Sequence, residues 1–185
     1  MWGRPIIATD LDECVFDNFV AKLLELYNAK YNDNLVFSNI TDYNINKFLK
    51  PECKNIFQEF ADDSFIHSLS ISQGTIEFLK WANEYGELVF ITAGHPNTIK
   101  SRHSVLAKNL DFYNSKYLWR GENKKLLKCD YLIDDCIDNL KGNFANTICI
   151  NRPWNKTGYV DLRVDGFFEI KKYILEQERG RGNEC

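Results

Sequence analysis

Long apolar runs, closely spaced cysteine pairs and a surplus of positive charge are all missing from this chain. Its longest apolar stretches fall far short of the roughly 20 residues that a membrane-spanning helix needs. No span and no secretory leader is expected, and the expected setting is cytoplasmic. The six cysteines, at 14, 53, 129, 136, 149 and 185, form no Cys-x-x-Cys pair. Several lie in apolar runs, such as Thr147–Ile150, so buried reduced thiols are expected rather than a disulfide framework. The net charge of −3 leaves no electrostatic footprint for duplex nucleic acid. Internal repeats and low-complexity linkers are absent too.

What is present suits a single globular domain, or a core with a modest insertion. Hydrophobic residues make up 44% of the chain and aromatics 14%, enough to build a core and too many for disorder. Short apolar runs at 5–9, 87–92, 130–135, 147–150 and 160–164 read as strands. Helical spacing covers 18–31, where Phe19, Leu23, Leu26 and Tyr27 share a face, and recurs at 74–85, 96–109 and 166–178. Gly86 is the expected stop of the second helix, and Pro96 the opening of the third. Strands alternating with helices predict a mostly parallel α/β sheet covered on both faces. Residues 18–73 break the alternation with helical pieces alone and read as a small cap inserted after the first strand. The catalytic core would then comprise 1–17 and 74–178, with 179–185 a flexible tail.

Ligands of such sheets bind beyond the carboxyl ends of the strands. Three strands here carry polar groups at that edge: Asp10 and Asp12, Thr92, and Asp134 with Asp135. Strand side chains alternate, so Asp10 and Asp12 flank one small space. Four carboxylates near one point repel one another unless a hard cation joins them, and oxygen donors in this number suit Mg²⁺. A carboxylate beside Mg²⁺ can attack phosphorus, and a second one can move the proton. Thr92 can bind a phosphoryl oxygen. A lysine from Lys124, Lys125 or Lys128 can neutralise the transition state.

This order of parts resembles the haloacid dehalogenase (HAD) superfamily from Ile6 to about Ile174. Asp10-Leu11-Asp12-Glu13-Cys14-Val15-Phe16-Asp17 is similar to its first motif and Thr92 to its second. A lysine ahead of Asp130 matches the third, and Asp134-Asp135 the fourth. Leu132-Ile133-Asp134-Asp135, the later Trp154-Asn155 and the helical insertion resemble the 5'(3')-deoxyribonucleotidase group. That resemblance implies a Rossmann-like three-layer core and a Mg²⁺-dependent phosphatase acting on deoxynucleoside 5'-monophosphates through an aspartyl-phosphate. It implies Asp10 as nucleophile, Asp12 as acid/base, and Thr92, Ala93 and Lys124 at the phosphate, with Lys125 in reserve. Metal ligands would come from Asp10, Asp12, Asp134 and Asp135, and a homodimer is an open expectation.

Some positions depart from the group. Glu13 stands where a small residue is common, Ala93 where many relatives have serine, and Glu122 where some carry an arginine that Arg120 would have to replace. Bland roles are expected for Asp130 and Asp17 (structural), for His95 (a surface helix start) and for Trp154 and Asn155 (fold support). The insertion aromatics Phe37, Tyr43, Phe48, Phe57, Phe60 and Phe65 read as cap core, with Phe65 the expected base-stacking ring. The competing functions are a phosphatase for another small ester such as a sugar phosphate, a silent HAD-like binding domain, and a nucleic-acid 3'-phosphatase.

Overall fold

The computed structural model describes residues 3–16 and 18–182, without the side chains of residues 181 and 182. Asp17 and Cys185 therefore lie outside the described residues. Six strands, β1 (Ile6–Asp10), β2 (Glu87–Thr92), β3 (Leu118–Arg120), β4 (Tyr131–Asp134), β5 (Asn146–Ile150) and β6 (Leu162–Val164), form one sheet. Its order is β3-β2-β1-β4-β5-β6, and every pairing is parallel. The sequence reading omitted β3. That three-residue edge strand buries only Leu118 and exposes Trp119 and Arg120, so it carries almost no apolar signal.

The helices are α1 (Phe19–Tyr31), α2 (Ile56–Phe60), α3 (Asp63–Ser68), α4 (Gln73–Tyr85), α5 (Ile99–Asn109), α6 (Ile137–Leu140) and α7 (Phe167–Gly182). Strand alternation sorts the core into two layers. Ile7, Phe90, Tyr131, Ile133 and Ile148 pack with Phe78 and Leu79 of α4, Leu106 of α5 and Ile170 and Ile174 of α7. On the other face Ala8, Val89, Ile91, Leu132 and Cys149 pack with Leu140 of α6. A parallel sheet must be apolar on both sides, and here the second side is closed by only a four-residue helix and connecting turns.

Between β1 and α4 the described residues form no strand, only helices and 3-10 turns (Phe37–Asn39 and Ile45–Phe48) joined by loops. Helix α1 buries Phe19, Val20, Leu23, Leu24 and Tyr27, whereas Leu26, expected inward, is exposed. The buried stripe is wider than a strict three-four spacing because α1 meets both the sheet and the rest of the insertion. Asn32 ends α1 in the left-handed conformation at φ 48°, donating its N–H to Asn28 O. Helix α3 rests on α5, where Ser101 donates a hydrogen bond to Asp63.

Gly86 ends α4 for a different reason than expected. Its φ of −127° is open to any residue, but a Cβ would run into the Pro5 carbonyl. Helix α7 continues through Gly182, past the expected end at 178, so residues 179–182 are helical rather than tail. The described cysteines are all unpaired thiols, and no described helix is long and apolar enough to cross a membrane.

Leu132 is fully buried in the strand beside β1. Leu132→Ala should lower unfolding free energy by about 2–5 kcal/mol in a urea titration, through lost contacts and the cavity left behind.

Candidate active site

The chain leaves β1 toward β2 on one side, and β4 lies on its other side, so the sheet has a switch point between β1 and β4. Asp10 and Asp134 are the last residues of those two strands. Lys124, on a 3-10 turn of residues Lys124–Leu126, reaches between them. Its Nζ donates to Asp10 Oδ1 and, at 2.8 Å, to Asp134 Oδ2, and all three side chains are buried. Lys125, the next residue, is exposed.

The two adjacent carboxylates have different neighbours. Asp134 accepts from Lys124, from Cys136 N at 2.8 Å and from Asn139 Nδ2 at 3.1 Å. Asp135 turns toward Asp10, and its Oδ2 accepts from Trp154 Nε1 at 2.9 Å. Asn155 Nδ2 donates to Asp135 O at 2.7 Å and Ile150 O at 2.8 Å, tying the β4 tip to the β5 tip. Trp154 and Asn155 thus both hold Asp135, and Trp154 also forms part of the wall of the cavity in front of it.

Past β1 the backbone folds back, with Phe16 N donating to Leu11 O at 2.7 Å. Glu13 sits in this turn at φ 61°, in the left-handed region where a glycine is favoured. Its side chain offsets that strain. Oε1 accepts from Val20 N at 2.6 Å, at the start of α1, and Oε2 pairs with Arg152 Nε at 2.9 Å. Arg152 Nη2 also donates to Glu13 O. The departure at Glu13 is therefore a bracket joining the first-motif turn, α1 and the loop after β5.

Burial and crowding act on the charges. Burial pushes Asp10 up to about 7; Lys124 opposes that rise, and Asp134 and Asp12 add to it. Asp135 rises well above the usual carboxylate range, first by burial and then by the charges of Asp134 and Asp10. Burial also raises Glu13 to about 7 against the pull of the Val20 N–H and Arg152. Burial works against the charge of Lys124, and Asp10 and Asp134 more than restore it.

Among the described residues, five carboxylates (Asp10, Asp12, Glu13, Asp134 and Asp135) meet three cations (Lys124, Arg102 and Arg152). Two negative charges are left over, which a divalent ion or two protons would balance. Ligand atoms of Asp10, Asp135 and Cys14 lie within 4.8 Å of one another. Burial drives the Cys14 pKa well up, so it remains a thiol, and the oxygen donors suit a hard cation.

In front of these groups lies a cavity of about 540 Å³, lined on the core side by Asp10, Asp12, Thr92, Ala93, Lys124 and Asp135. Thr92 Oγ1 accepts from Gly94 N at 3.0 Å, leaving its own O–H free to donate. His95 is exposed at the rim and its ring accepts from Asn97 N. Phe19, Tyr43 and Phe57 line the insertion side. Phe65, the ring expected there, is not in the cavity wall. It is 5% exposed and packs edge-on against Phe19 at 5.1 Å, because the short helix α3 turns it toward the core. Arg120 points elsewhere, bonded to Gly94 O and Glu122. Asp130 accepts from Ile6 N at the opposite edge of the sheet.

Arg102 escaped the sequence reading. It is buried in the cavity wall on α5, its Nη2 2.7 Å from Asp12 Oδ2, although 90 residues separate the two in sequence. No local pattern marks such a residue; the nearest hint is Gly94, where any Cβ would strike the guanidinium.

Known proteins share this architecture. A HAD family hydrolase from Deinococcus radiodurans R1, solved with bound phosphate and sodium, superposes at TM-score 0.65. It is 10% identical, and the match covers 94% of this chain and 96% of that one. A HAD hydrolase from Bacillus subtilis, bound to magnesium, reaches 0.60 at 13% identity over 95% and 100% of the two chains. The 5'(3')-deoxyribonucleotidase of Clostridium acetobutylicum is 24% identical over 170 residues, 91% of this chain and 94% of its own. The family model for "5' nucleotidase, deoxy (Pyrimidine), cytosolic type C protein" matches residues 4–179, which takes in every strand and the whole cavity wall. With its carboxylates, threonine and lysine gathered at the switch point of a HAD fold, the chain belongs to that 5' nucleotidase family of phosphoric monoester hydrolases.

Proposed function

We propose that the chain is a Mg²⁺-dependent phosphatase that removes the phosphate of deoxynucleoside 5'-monophosphates through an aspartyl-phosphate on Asp10. The observation that carries this reading is the buried cluster of excess carboxylates, with Lys124 between Asp10 and Asp134, opening onto a cavity with aromatic walls.

Asp10, Asp135 and the Asp12 carbonyl would hold the metal, with Asp134 steadying Lys124 beside them. When bound, Mg²⁺ supplies positive charge to the Asp10 carboxylate and the phosphoryl oxygens. A carboxylate oxygen of Asp10 attacks phosphorus, and the bond to the ester oxygen breaks. That oxygen keeps the electron pair of the broken bond and takes a proton from Asp12. Water then gives a proton to Asp12 and attacks phosphorus; the bond to Asp10 breaks, and inorganic phosphate leaves with both carboxyl groups restored. Lys124 neutralises charge beside Asp10, and the free Thr92 O–H donates to a phosphoryl oxygen.

The insertion, residues 18–73, serves as a cap that shields this chemistry from water. Phe57 and Tyr43 are 41% and 59% exposed, and Phe57 lies near-parallel to Phe19 at 6.4 Å. Such rings offer faces on which a base can stack. The deoxyribonucleotidase named above and the magnesium and phosphate carried by the two solved hydrolases support the same chemistry.

Phosphate release from a panel of deoxynucleoside, nucleoside and sugar monophosphates should be fastest with a deoxynucleotide. It should stop with EDTA and with Asp10→Asn. Release confined to sugar phosphates would keep the mechanism and discard the substrate.

Metal should also register in stability. Asp10 and Asp135 hold protons more tightly folded than unfolded, so the metal-free fold loses stability as pH rises from about 4 to about 7. Mg²⁺ binding would require both carboxylates to be free of those protons. By differential scanning fluorimetry it should raise Tm more at about pH 8 than at about pH 5, and not at all in Asp135→Asn.

Phe57→Ala should raise KM for deoxynucleotides by about tenfold, the range of one lost base stack, with little change for esters that lack a base.

A further inference from the structure

Arg102 is placed to do more than balance charge. Its residue is 2% exposed, and its guanidinium is held on three sides. Nη1 donates to Thr98 Oγ1, one turn earlier; Nη2 donates to Asp12 Oδ2 at 2.7 Å; and Cζ lies 6.0 Å from the centroid of the Phe19 ring. On the fourth side lies Gly94, where a Cβ would come within 2.7 Å of Cζ as the guanidinium now sits. The contact to Asp12 uses one carboxylate oxygen. The other, Oδ1, is buried and has no hydrogen-bond partner.

Resting on the phosphatase reading above, we infer that Arg102 is a positioning residue for the acid/base step. By fixing Oδ2 of Asp12 in a rigid grip, it holds the carboxyl group at the cavity wall in one orientation for proton exchange with the ester oxygen and later with water. A rotating carboxylate would present either oxygen at varied angles. A gripped one keeps a single orientation, which proton transfer in a short-lived transition state rewards. Arginine suits the role because its planar fork can engage Thr98 and Asp12 at once, which a lysine ammonium cannot do from the same place.

The test separates this role from phosphate binding and from bulk structure by varying the leaving group. A deoxynucleotide departs as an alkoxide that needs a proton, whereas 4-nitrophenyl phosphate departs as a stable phenolate that does not. In Arg102→Met, kcat/KM should fall about 100-fold for the deoxynucleotide, the scale of one general-acid contribution, and less than about threefold for the aryl ester. Turnover of the phosphorylated enzyme needs Asp12 as a base with either substrate. The variant should therefore release 4-nitrophenol in a burst close to one equivalent of enzyme, followed by a slow steady state. Arg102→Lys should recover part of the deoxynucleotide rate, and Thr98→Val, which keeps the arginine and removes one support, should show the same pattern more weakly.

Equal losses for both esters in all three variants would reduce Arg102 to a structural role and overturn the inference. A raised KM for both, with kcat unchanged and weaker inhibition by inorganic phosphate, would make it a phosphate ligand and overturn it as well. No turnover of either ester by the unaltered chain would overturn the phosphatase reading and this inference together.

Discussion

Everything at the carboxyl edge of this sheet depends on one buried lysine between two strand ends. Asp10 and Asp134 end neighbouring parallel strands, and two carboxylates so placed in a dry setting would drive the strand tips apart or take up protons. Lys124 bonds to both and lets them stay close. The arrangement is stable only as a set, since removing either partner leaves a buried charge uncompensated. It still leaves the site short of positive charge, a deficit that a divalent ion or two protons would balance.

Around this centre the other charges are divided by element. Arg102 comes from the helix after β2 and grips Asp12; Arg152 comes from the loop after β5 and grips Glu13; Trp154 and Asn155 from the same loop hold Asp135. Asp12, Glu13 and Asp135 thus each have a fixed partner delivered from a distant part of the chain, while Asp10 and Asp134 share Lys124. Preorganisation of this kind lets a site act without rearranging when charge develops. The left-handed Glu13 belongs to the same scheme. The strain of its backbone is offset by bonds that tie the first-motif turn to the first helix of the insertion, so insertion and sheet meet at the residue next to Asp12.

The insertion contributes walls rather than reacting groups. Its helices share one apolar cluster with the main face of the sheet, and only Phe19, Tyr43 and Phe57 among its rings turn to the cavity. Phe65 was the ring favoured by its place near the return to the sheet. Position along a chain of short helices says little about direction, however, and a one-residue change of phase in a helix turns a side chain by about 100°, enough to move it from cavity wall to core.

The sequence by itself determined the α/β alternation, the strand ends that carry Asp10, Thr92 and Asp134, and the first-motif and lysine signals. These are local: apolar runs of strand length and polar residues at fixed offsets from them. Tertiary structure alone decided the rest. It separated Asp134, committed to Lys124, Cys136 and Asn139, from Asp135, turned toward Asp10. It chose Lys124 over Lys125, revealed β3 as a strand held by its neighbour, and brought Arg102 and Arg152 to carboxylates 90 and 139 residues away. The physical reason is that buried charges are paired across the fold, by whichever side chain the packed helices and loops deliver, and no periodicity in the chain encodes that meeting.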